Sequence, residues 1–409
     1  MSRRASAVEV EVVVLGGGLT GLTAALALGR AGVEVAVVER ASVAELVSAP
    51  YDGRVMAIAR ASMRMLEALG VWASIGPEAQ PILRIRVEEG GVPVRVHYDG
   101  AELDGGPLGW IAETRCIRRA LFEALERLSG VRLFAPAGHR EVVVDSVAAT
   151  VRLDDGRLLR APLLLVCEGR RSPLPRRLGI RCATRSYGQI ALVATLEQER
   201  AHGGEAVERF FPDGPFAVLP LPGRRSSIVW AICEERARAL CGLDPAAFAL
   251  EVEERFGDLL GRVRLASPLW SYPLLLVVCE RYVRERVALV GDAARGIHPL
   301  AGQGWNLALR DVAALAELVV DRLRLGLDPG SLEMLRAYEA WRRFDGFTLV
   351  AVTDGLNRLF ANDHPPLFLL RNLGLWLVER APPLKRLFMR HAMGLLGEQP
   401  RLLLGQPLW

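Results

Sequence analysis

Three features of the sequence predict an α/β fold with an inserted sheet and a helical tail. Near the N-terminus a β-branched run, Val8 to Leu15, ends in Gly16-Gly17-Gly18-Leu19-Thr20-Gly21, and a helical stripe, a second strand from Val33 to Val38 and an acid, Glu39, follow. Short apolar runs crowd the stretch from Tyr187 to Trp230, separated by Pro212-Asp213-Gly214-Pro215 and Pro222-Gly223. Beyond about Ser331 the apolar spacing is helical. These are the marks of a Rossmann-like nucleotide-binding domain, a largely antiparallel sheet and a C-terminal helical region.

The first unit reads strand, G-x-G-x-x-G, helix, strand, acid, with Glu39 falling 18 positions after Gly21. Gly16 serves the tight turn, Gly18 lets a pyrophosphate approach the backbone, and Gly21 lets helix and strand pack closely. Leu19 and Thr20 open the helix, whose unpaired amides suit an anion. Glu39, with Arg40 beside it, is placed for ribose hydroxyls and favours an adenosine without a 2′-phosphate. The motif does not separate FAD from NAD; its N-terminal position argues for a tightly held dinucleotide such as FAD.

Next comes Tyr51-Asp52-Gly53-Arg54-Val55-Met56-Ala57, where Arg54 is either near the cofactor or a solvated loop residue. Ile82 to Val87 and Val92 to Tyr98 flank Glu89-Gly90-Gly91 as a β-hairpin of an inserted sheet. Helical spacing at Ile117, Leu121, Leu125 and Leu128 leaves Arg115, Arg118 and Arg119 on a polar, solvated face. Strands at Glu141 to Val147, Thr150 to Leu153 and Arg160 to Val166 lead into Cys167-Glu168-Gly169-Arg170-Arg171-Ser172, a second candidate turn for phosphate or sugar. Strands at Ile190 to Leu196, Ala206 to Phe211, Phe216 to Leu221 and Ser227 to Ile232 build a sheet suited to wall a chamber. A helix follows at Pro245 to Phe256.

The stretch that organises the chain runs from Gly291 to Asn306. A strand, Val287 to Val290, feeds Gly291-Asp292-Ala293-Ala294, and His298-Pro299-Leu300-Ala301-Gly302-Gln303-Gly304-Trp305-Asn306 delivers the chain to a long helix. Asp292 stands at a strand end, where a carboxylate can accept from sugar hydroxyls. Gly296, Gly302 and Gly304 let backbone pass close to a flat ligand.

Hydrophobic residues make up 51% and charged residues 24%, as in a folded globular protein. The net charge of +4 gives no ground for nucleic-acid binding. Mean hydropathy is high at +0.22, which points to an apolar site, a partner or a membrane surface. The six cysteines show neither a C-x-x-C pair nor zinc-type spacing and read as free thiols in a reducing cytoplasm. Ser2-Arg3-Arg4 is followed by Glu9 and Glu11 within the first apolar stretch, which argues against a signal peptide. No apolar run reaches the roughly 18 residues of a spanning helix, so membrane contact would be peripheral. The tail, with Leu367-Phe368-Leu369-Leu370 and Leu373-Gly374-Leu375-Trp376-Leu377-Val378, is either packed on the core or a surface for a lipid, a membrane or a partner subunit.

Taken in order, the glycine-rich unit with Glu39, Glu168-Gly169-x-x-Ser172 and Gly291-Asp292 resemble the single-component FAD-dependent aromatic hydroxylases of the p-hydroxybenzoate hydroxylase fold. His298-Pro299-Leu300-Ala301-Gly302-Gln303-Gly304-x-Asn306 with Asp311 is similar to the ubiquinone-biosynthesis hydroxylases of the UbiH, UbiF and UbiI kind. Glu113-Thr114-Arg115, the run from Gly214 to Leu221 and Tyr272-Pro273-Leu274 extend the likeness over nearly the whole chain.

The resemblance implies an FAD-binding domain in segments 1–80, 111–182 and 281–330. It implies a substrate sheet from 81–110 and 183–280, and a helical region at 331–409. It implies FAD contacts at Gly16, Gly18, Leu19, Thr20, Gly21, Glu39, Arg40, Arg54, Arg118, Glu168, Gly169, Gly291, Asp292, Pro299, Ala301, Gly302, Gln303, Gly304, Trp305 and Asn306. Arg54, His298 and Pro299 are the implied catalytic residues. NAD(P)H would reduce the flavin, O2 would be captured as a C4a-hydroperoxide, and hydroxyl would pass to a lipophilic, polyprenylated phenol. Another lipophilic aromatic, or a scaffold role among quinone-biosynthesis proteins, are the competing readings.

Departures from the pattern are Glu168 for Asp and Pro175 for Arg, which leaves Arg176 one place late. Arg295 and Trp305 are unusual too, and both are expected near the flavin, where Trp305 would narrow the site or stack on an aromatic ring.

Overall fold

A computed structural model describes residues 7–48, 50–90, 92, 94–362 and 364–409, with the side chain of Ala301 set aside. Ser2, Arg3, Arg4 and Gly91 lie outside the described residues. Among those described, the strands form four sheets.

Val12–Leu15 is central in the six-stranded sheet, with Val35–Val38 and Val131–Phe134 on one side and Leu163–Val166 and Val287–Leu289 on the other, all parallel. The strands 12–15, 35–38 and 163–166 are buried at every residue, as wholly apolar strands must be when both faces are covered. Helix α1 (Leu19–Arg30) is rich in Leu and Ala, carries Arg30 in its last turn and ends before Gly32, whose φ of +83° suits the close. It packs between α2 (Thr114–Leu125) and the long helix that follows the Gly291 motif.

The run read as one strand from Arg160 to Val166 divides at Pro162. Leu158–Ala161 joins a four-stranded sheet, while Leu163–Val166 joins the parallel one. Proline has no N–H for a ladder, and the chain changes sheets there. Val8–Glu9 and Val12–Leu15 make the same switch beside it.

The larger, nine-stranded sheet is antiparallel apart from one pair, Glu205–Phe211 with Arg84–Glu89, through which the hairpin of 84–89 and 95–99 is joined to it. Its longest strand, Cys182–Gln198, begins well before the expected Ile190, because Thr184, Arg185 and Ser186 give no apolar alternation to read. One face carries Leu192, Phe216, Ile228 and Trp230 against two helices, α3 (Glu234–Cys241) and α4 (Pro245–Phe256). Helix α4 has a full set of end signals: Asp244 accepts from the Ala246 and Ala247 amides at 2.9 Å each, Pro245 follows, and Gly257 ends it at φ +61°.

Arg295–Gly296 pairs with Val277–Val278 at the edge of this sheet, so the Gly291 loop is stitched to the inserted domain. Beyond it run α5 (Gln303–Arg324), α6 (Leu332–Phe360), α7 (Pro365–Arg380) and α8 (Pro382–Ala392).

The cysteine reading needs correction. Cys182 and Cys279 form a disulfide, with Cys116, Cys167, Cys233 and Cys241 free. The two stand opposite each other in the register of strands 182–198 and 270–279, a pairing that a sequence separation of 97 conceals.

Candidate functional site

The glycine turn sorts its residues by geometry. Gly16 has φ +103°, and a Cβ there would sit 2.7 Å from the Cys167 carbonyl oxygen. At Gly21 a Cβ would come within 1.9 Å of the Gly16 oxygen, so the helix lies directly on the turn. A Cβ at Gly18 would meet no atom within 4 Å, and no side chain caps α1 at this residue. Free amides at a helix start facing open space are a site for an anion. Leu19 and Thr20 lie at its rim, half-buried.

Glu39 accepts from the Gly17 N–H at 2.6 Å and the Ala41 N–H at 3.0 Å, which fixes its carboxylate at the strand end beside this turn. Arg118 is half-buried and donates to the Leu46 carbonyl at 3.2 Å. Burial, then the charge of Arg54, hold its pKa below the usual value, with Asp52 and Glu39 opposing. The guanidinium expected on a solvated face therefore stands within electrostatic reach of both Arg54 and Glu39.

The second cradle is the Gly291 loop. Gly291, at φ +62°, donates its N–H to Asp311 Oδ2 at 3.1 Å. Asp292 is gripped by Arg170, whose Nε and Nη2 reach Oδ2 at 3.0 and 2.6 Å. Arg170 also lies 3.4 Å from the Ile297 carbonyl and so ties the Glu168 turn to the Gly291 loop. Nothing but its position inside Glu168-Gly169-x-x-Ser172 marked it in the sequence.

At Gly302, N-cap of α5 with φ +60°, a Cβ would press on Ala57 at 2.7 Å; at Gly304 it would meet nothing within 4 Å. Pro299 and Gln303 are half-buried on the same loop, and Pro299 accepts the Gly302 N–H at 3.0 Å.

The side chains of three expected cofactor contacts are engaged within the protein. Asn306 Oδ1 accepts from the Ala59 amide and the Ser62 hydroxyl, and its Nδ2 donates to the Ala57 and Gly302 carbonyls. The side chain is a clamp between α5 and the strand 55–59. Trp305 is buried in the large core of the parallel sheet. Glu168 is held by His139 Nε2 at 2.9 Å and the Ser172 hydroxyl at 2.6 Å, with the exposed Arg40 at 3.6 Å; burial opposes ionisation, but these partners keep its pKa low. Gly169 beside it has φ +78°. Arg176 turns to the Cys182 carbonyl at 3.2 Å.

The Arg295 side chain is likewise turned into the protein. It is fully buried, donates to Asp311 Oδ1 at 2.5 Å and lies over the Tyr282 ring at 4.8 Å. Arg342 reaches the same oxygen at 3.0 Å. Burial lowers the Arg295 pKa, but Asp311, Tyr282 and Tyr338 together more than reverse this and it ends raised.

The remaining wall is aromatic. His298 is 1% exposed and meets the Tyr187 ring edge to face at 4.9 Å. Its Nδ1 accepts the Leu300 N–H at 3.3 Å, which assigns the ring proton to Nε2, and Nε2 has no partner among the described residues. Burial, reinforced by the charge of Arg170, lowers its pKa to about 4. Tyr187 belongs to an apolar cluster with Ala191, Ala231, Leu274 and Tyr272 on the sheet face opposite Trp230. Tyr272 donates to the Asp52 carbonyl at 2.7 Å and carries Arg54 over its ring at 5.9 Å; Arg54 itself is half-exposed and paired with Asp52. One wall thus joins Arg54, Tyr272, Tyr187 and His298.

The His298 shift has a direct consequence. Between pH 6.5 and 4 the unfolded chain binds a proton that the folded chain refuses, so stability falls on acidification through this window and this contribution changes no further below it. The slope from this group reaches at most about 1.4 kcal/mol per pH unit. Urea midpoints from pH 7 to 4 should fall less steeply for His298→Gln; parallel curves would contradict the assignment.

The two cradles fit FAD. One offers open amides and an acid at a strand end; the other offers Asp292 and, at Gly304, backbone free of contact. The chain matches the model of the FAD binding domain over residues 9–346. It is 49% identical over 401 residues to the ubiquinone hydroxylase UbiL of Rhodospirillum rubrum, covering 97% of this chain and 93% of the relative. It is 35% identical to the 3-demethoxyubiquinol 3-hydroxylase of Escherichia coli, covering 94% and 98%. In fold it is similar to p-nitrophenol 4-monooxygenase PnpA from Pseudomonas putida, with a TM-score of 0.79, 22% identity, and 96% of this chain and 100% of that one covered. The chain belongs to the FAD-binding-domain family of flavin-dependent monooxygenases.

Proposed function

We propose that this protein hydroxylates the ring of a polyprenylated methoxyphenol in ubiquinone biosynthesis, with FAD bound and NAD(P)H and O2 consumed. The observation that carries the reading is the wall of Ala191, Ala231, Leu274, Tyr272 and Tyr187, which ends at the unpartnered Nε2–H of His298. An apolar face with small side chains suits an aromatic ring, and a buried donor at its end suits the ring's oxygen. The names of the two relatives above support the choice of substrate.

FAD, held by the Gly16–Gly21 turn, Glu39 and the Gly291–Gly304 loop, supplies hydride acceptance and oxygen activation when bound. The protein's share is position and charge. Asp292 is oriented by Arg170. His298, with its pKa near 4, is neutral throughout the physiological range, so Nε2 donates a hydrogen bond without adding a cation. It orients the phenol oxygen and stabilises charge that develops there as the ring becomes electron-rich. The burial of Ala293, Ala294, Ile297 and Leu300 keeps water from that side of the loop. Arg54, stacked on Tyr272 and held by Asp52, lies on the exposed side, where an incoming anionic reductant can be met.

Stopped-flow absorbance tests the reading. The FAD-loaded protein is mixed anaerobically with NADPH, with and without a short-chain prenylated methoxyphenol, and then with oxygen. Substrate-accelerated flavin bleaching followed by hydroxylated product is the expected result. Bleaching that never yields product from any prenylated phenol would move the substrate to another lipophilic aromatic.

A further inference from the structure

Helix α7 is turned inside out. Its polar residues face the protein: Arg371 donates to Glu89 at 2.7 Å, Asn372 to the same carboxylate at 2.5 Å, and Glu379 accepts the His97 N–H at 2.8 Å. Its exposed face carries Leu369, Leu370, Leu373, Trp376 and Leu377, and the first three are 68, 60 and 52% exposed. At 100° per residue these fall within one third of the helix circumference, closed by Arg380 in the next turn. Helix α8 repeats the pattern. Lys385 is buried and bonded to Glu102 at 2.7 Å, while Leu384, Leu387 and Phe388 are exposed. A soluble surface helix shows the reverse arrangement.

We propose that the outward faces of α7 and α8 dock the protein on an anionic lipid bilayer. The charge pattern chooses this occupant. From Pro365 to Ala392 the exposed charged side chains are Arg380, Arg386 and Arg390, and the carboxylate of this stretch, Glu379, is half-buried and paired with Lys385. A second copy of the chain on a two-fold axis would bring arginine to arginine with no exposed carboxylate to answer. Anionic headgroups answer all of them, and leucine, tryptophan and arginine together on one helical face suit the bilayer interface. Arg380 stacks on the Trp376 ring at 4.4 Å, a pair that spans the apolar and headgroup levels.

The same helix reaches inward to the flavin loop. Leu375, on its inner side, packs on the cluster of Leu300, Phe210 and Phe360, and Leu300 adjoins Pro299. One helix thickness therefore separates the outward leucines from the cluster beneath the loop. A prenyl tail held in the bilayer would enter the site past this packed apolar cluster. The route rests on the proposed substrate; the docking does not.

The test is flotation of the full-length, FAD-loaded protein with vesicles of phosphatidylcholine, alone and mixed with phosphatidylglycerol. Wild type should float with the mixed vesicles, and less at high salt. Leu370→Glu with Leu373→Glu should reduce the floated fraction about tenfold or more, as should Arg380→Ser with Arg386→Ser and Arg390→Ser. Both variants should retain bound flavin and NADPH-driven bleaching, which shows that they fold.

Wild type that stays with the aqueous phase, or leucine variants that float unchanged, would overturn the proposal. So would sedimentation velocity showing a wild-type dimer that the leucine variants reduce to monomer without altered flotation, since a second copy would then cover the face. Flotation as expected, with no product from a water-soluble short-chain phenol, would uphold docking and sink the substrate reading alone.

Discussion

Asp311→Ala should cost about 3–5 kcal/mol of stability and strip the protein of FAD. Asp311 is fully buried and does three things at once: it neutralises Arg295, accepts from Arg342 on α6, and fixes the Gly291 amide at the head of the proposed flavin loop. Deleting it leaves the Arg295 guanidinium at 0% exposure beside the rings of Tyr282 and Tyr338, with no carboxylate among its described partners. Arg342 keeps Asp345 at 2.7 Å and is the lesser casualty. Backbone cannot move to relieve this, because Arg295 fills the space beside Gly346, where even a Cβ would come within 2.4 Å of its Nε. Asp311→Asn keeps an acceptor for Gly291 while losing the charge, so it should fall between wild type and Asp311→Ala. Urea midpoints of the flavin-free proteins and the flavin content of the purified proteins measure the two effects. An unchanged midpoint in Asp311→Ala would mean that the pair is solvated after all.

This cluster also marks the limit of what the sequence discloses. The turn at Gly16–Gly21, the acid at Glu39 and the helix after Gly302 are local patterns with fixed spacing, and each could be read from its neighbours. Arg170 could not be assigned its role in that way, because its partner Asp292 stands 122 residues further on. The same holds for Cys182 with Cys279. Family resemblance placed the backbone of Asn306 and Trp305 beside the cofactor, and a motif of this kind records which residues recur at a place and not which way each side chain turns. Here one clamps the strand 55–59 and the other fills the core. The tail could be read as apolar and helical. Whether its leucines faced in or out depended on Glu89, Glu102 and His97 in the inserted hairpin region, which take the polar side of α7 and α8 for themselves.

A pair of glycine substitutions should separate folding from cofactor binding. Gly18→Ala should leave the urea midpoint of the flavin-free protein unchanged, since Gly18 has ordinary extended backbone, φ −72° and ψ −179°, and its added methyl meets nothing within 4 Å. The same methyl enters the space over the α1 amides, and FAD should bind about tenfold to a hundredfold more weakly, about 1.4–2.8 kcal/mol. Gly21→Ala should fail on both counts. Its methyl would stand 1.9 Å from the Gly16 oxygen, and Gly16 at φ +103° has no room to retreat from the Cys167 carbonyl. Lifting α1 off the turn should cost about 1–3 kcal/mol before any ligand is added. Fluorescence quenching of added FAD and flavin-free urea curves decide between the two. Wild-type FAD affinity in Gly18→Ala would place the pyrophosphate elsewhere, because an anion seated on those amides cannot share the space with a methyl group.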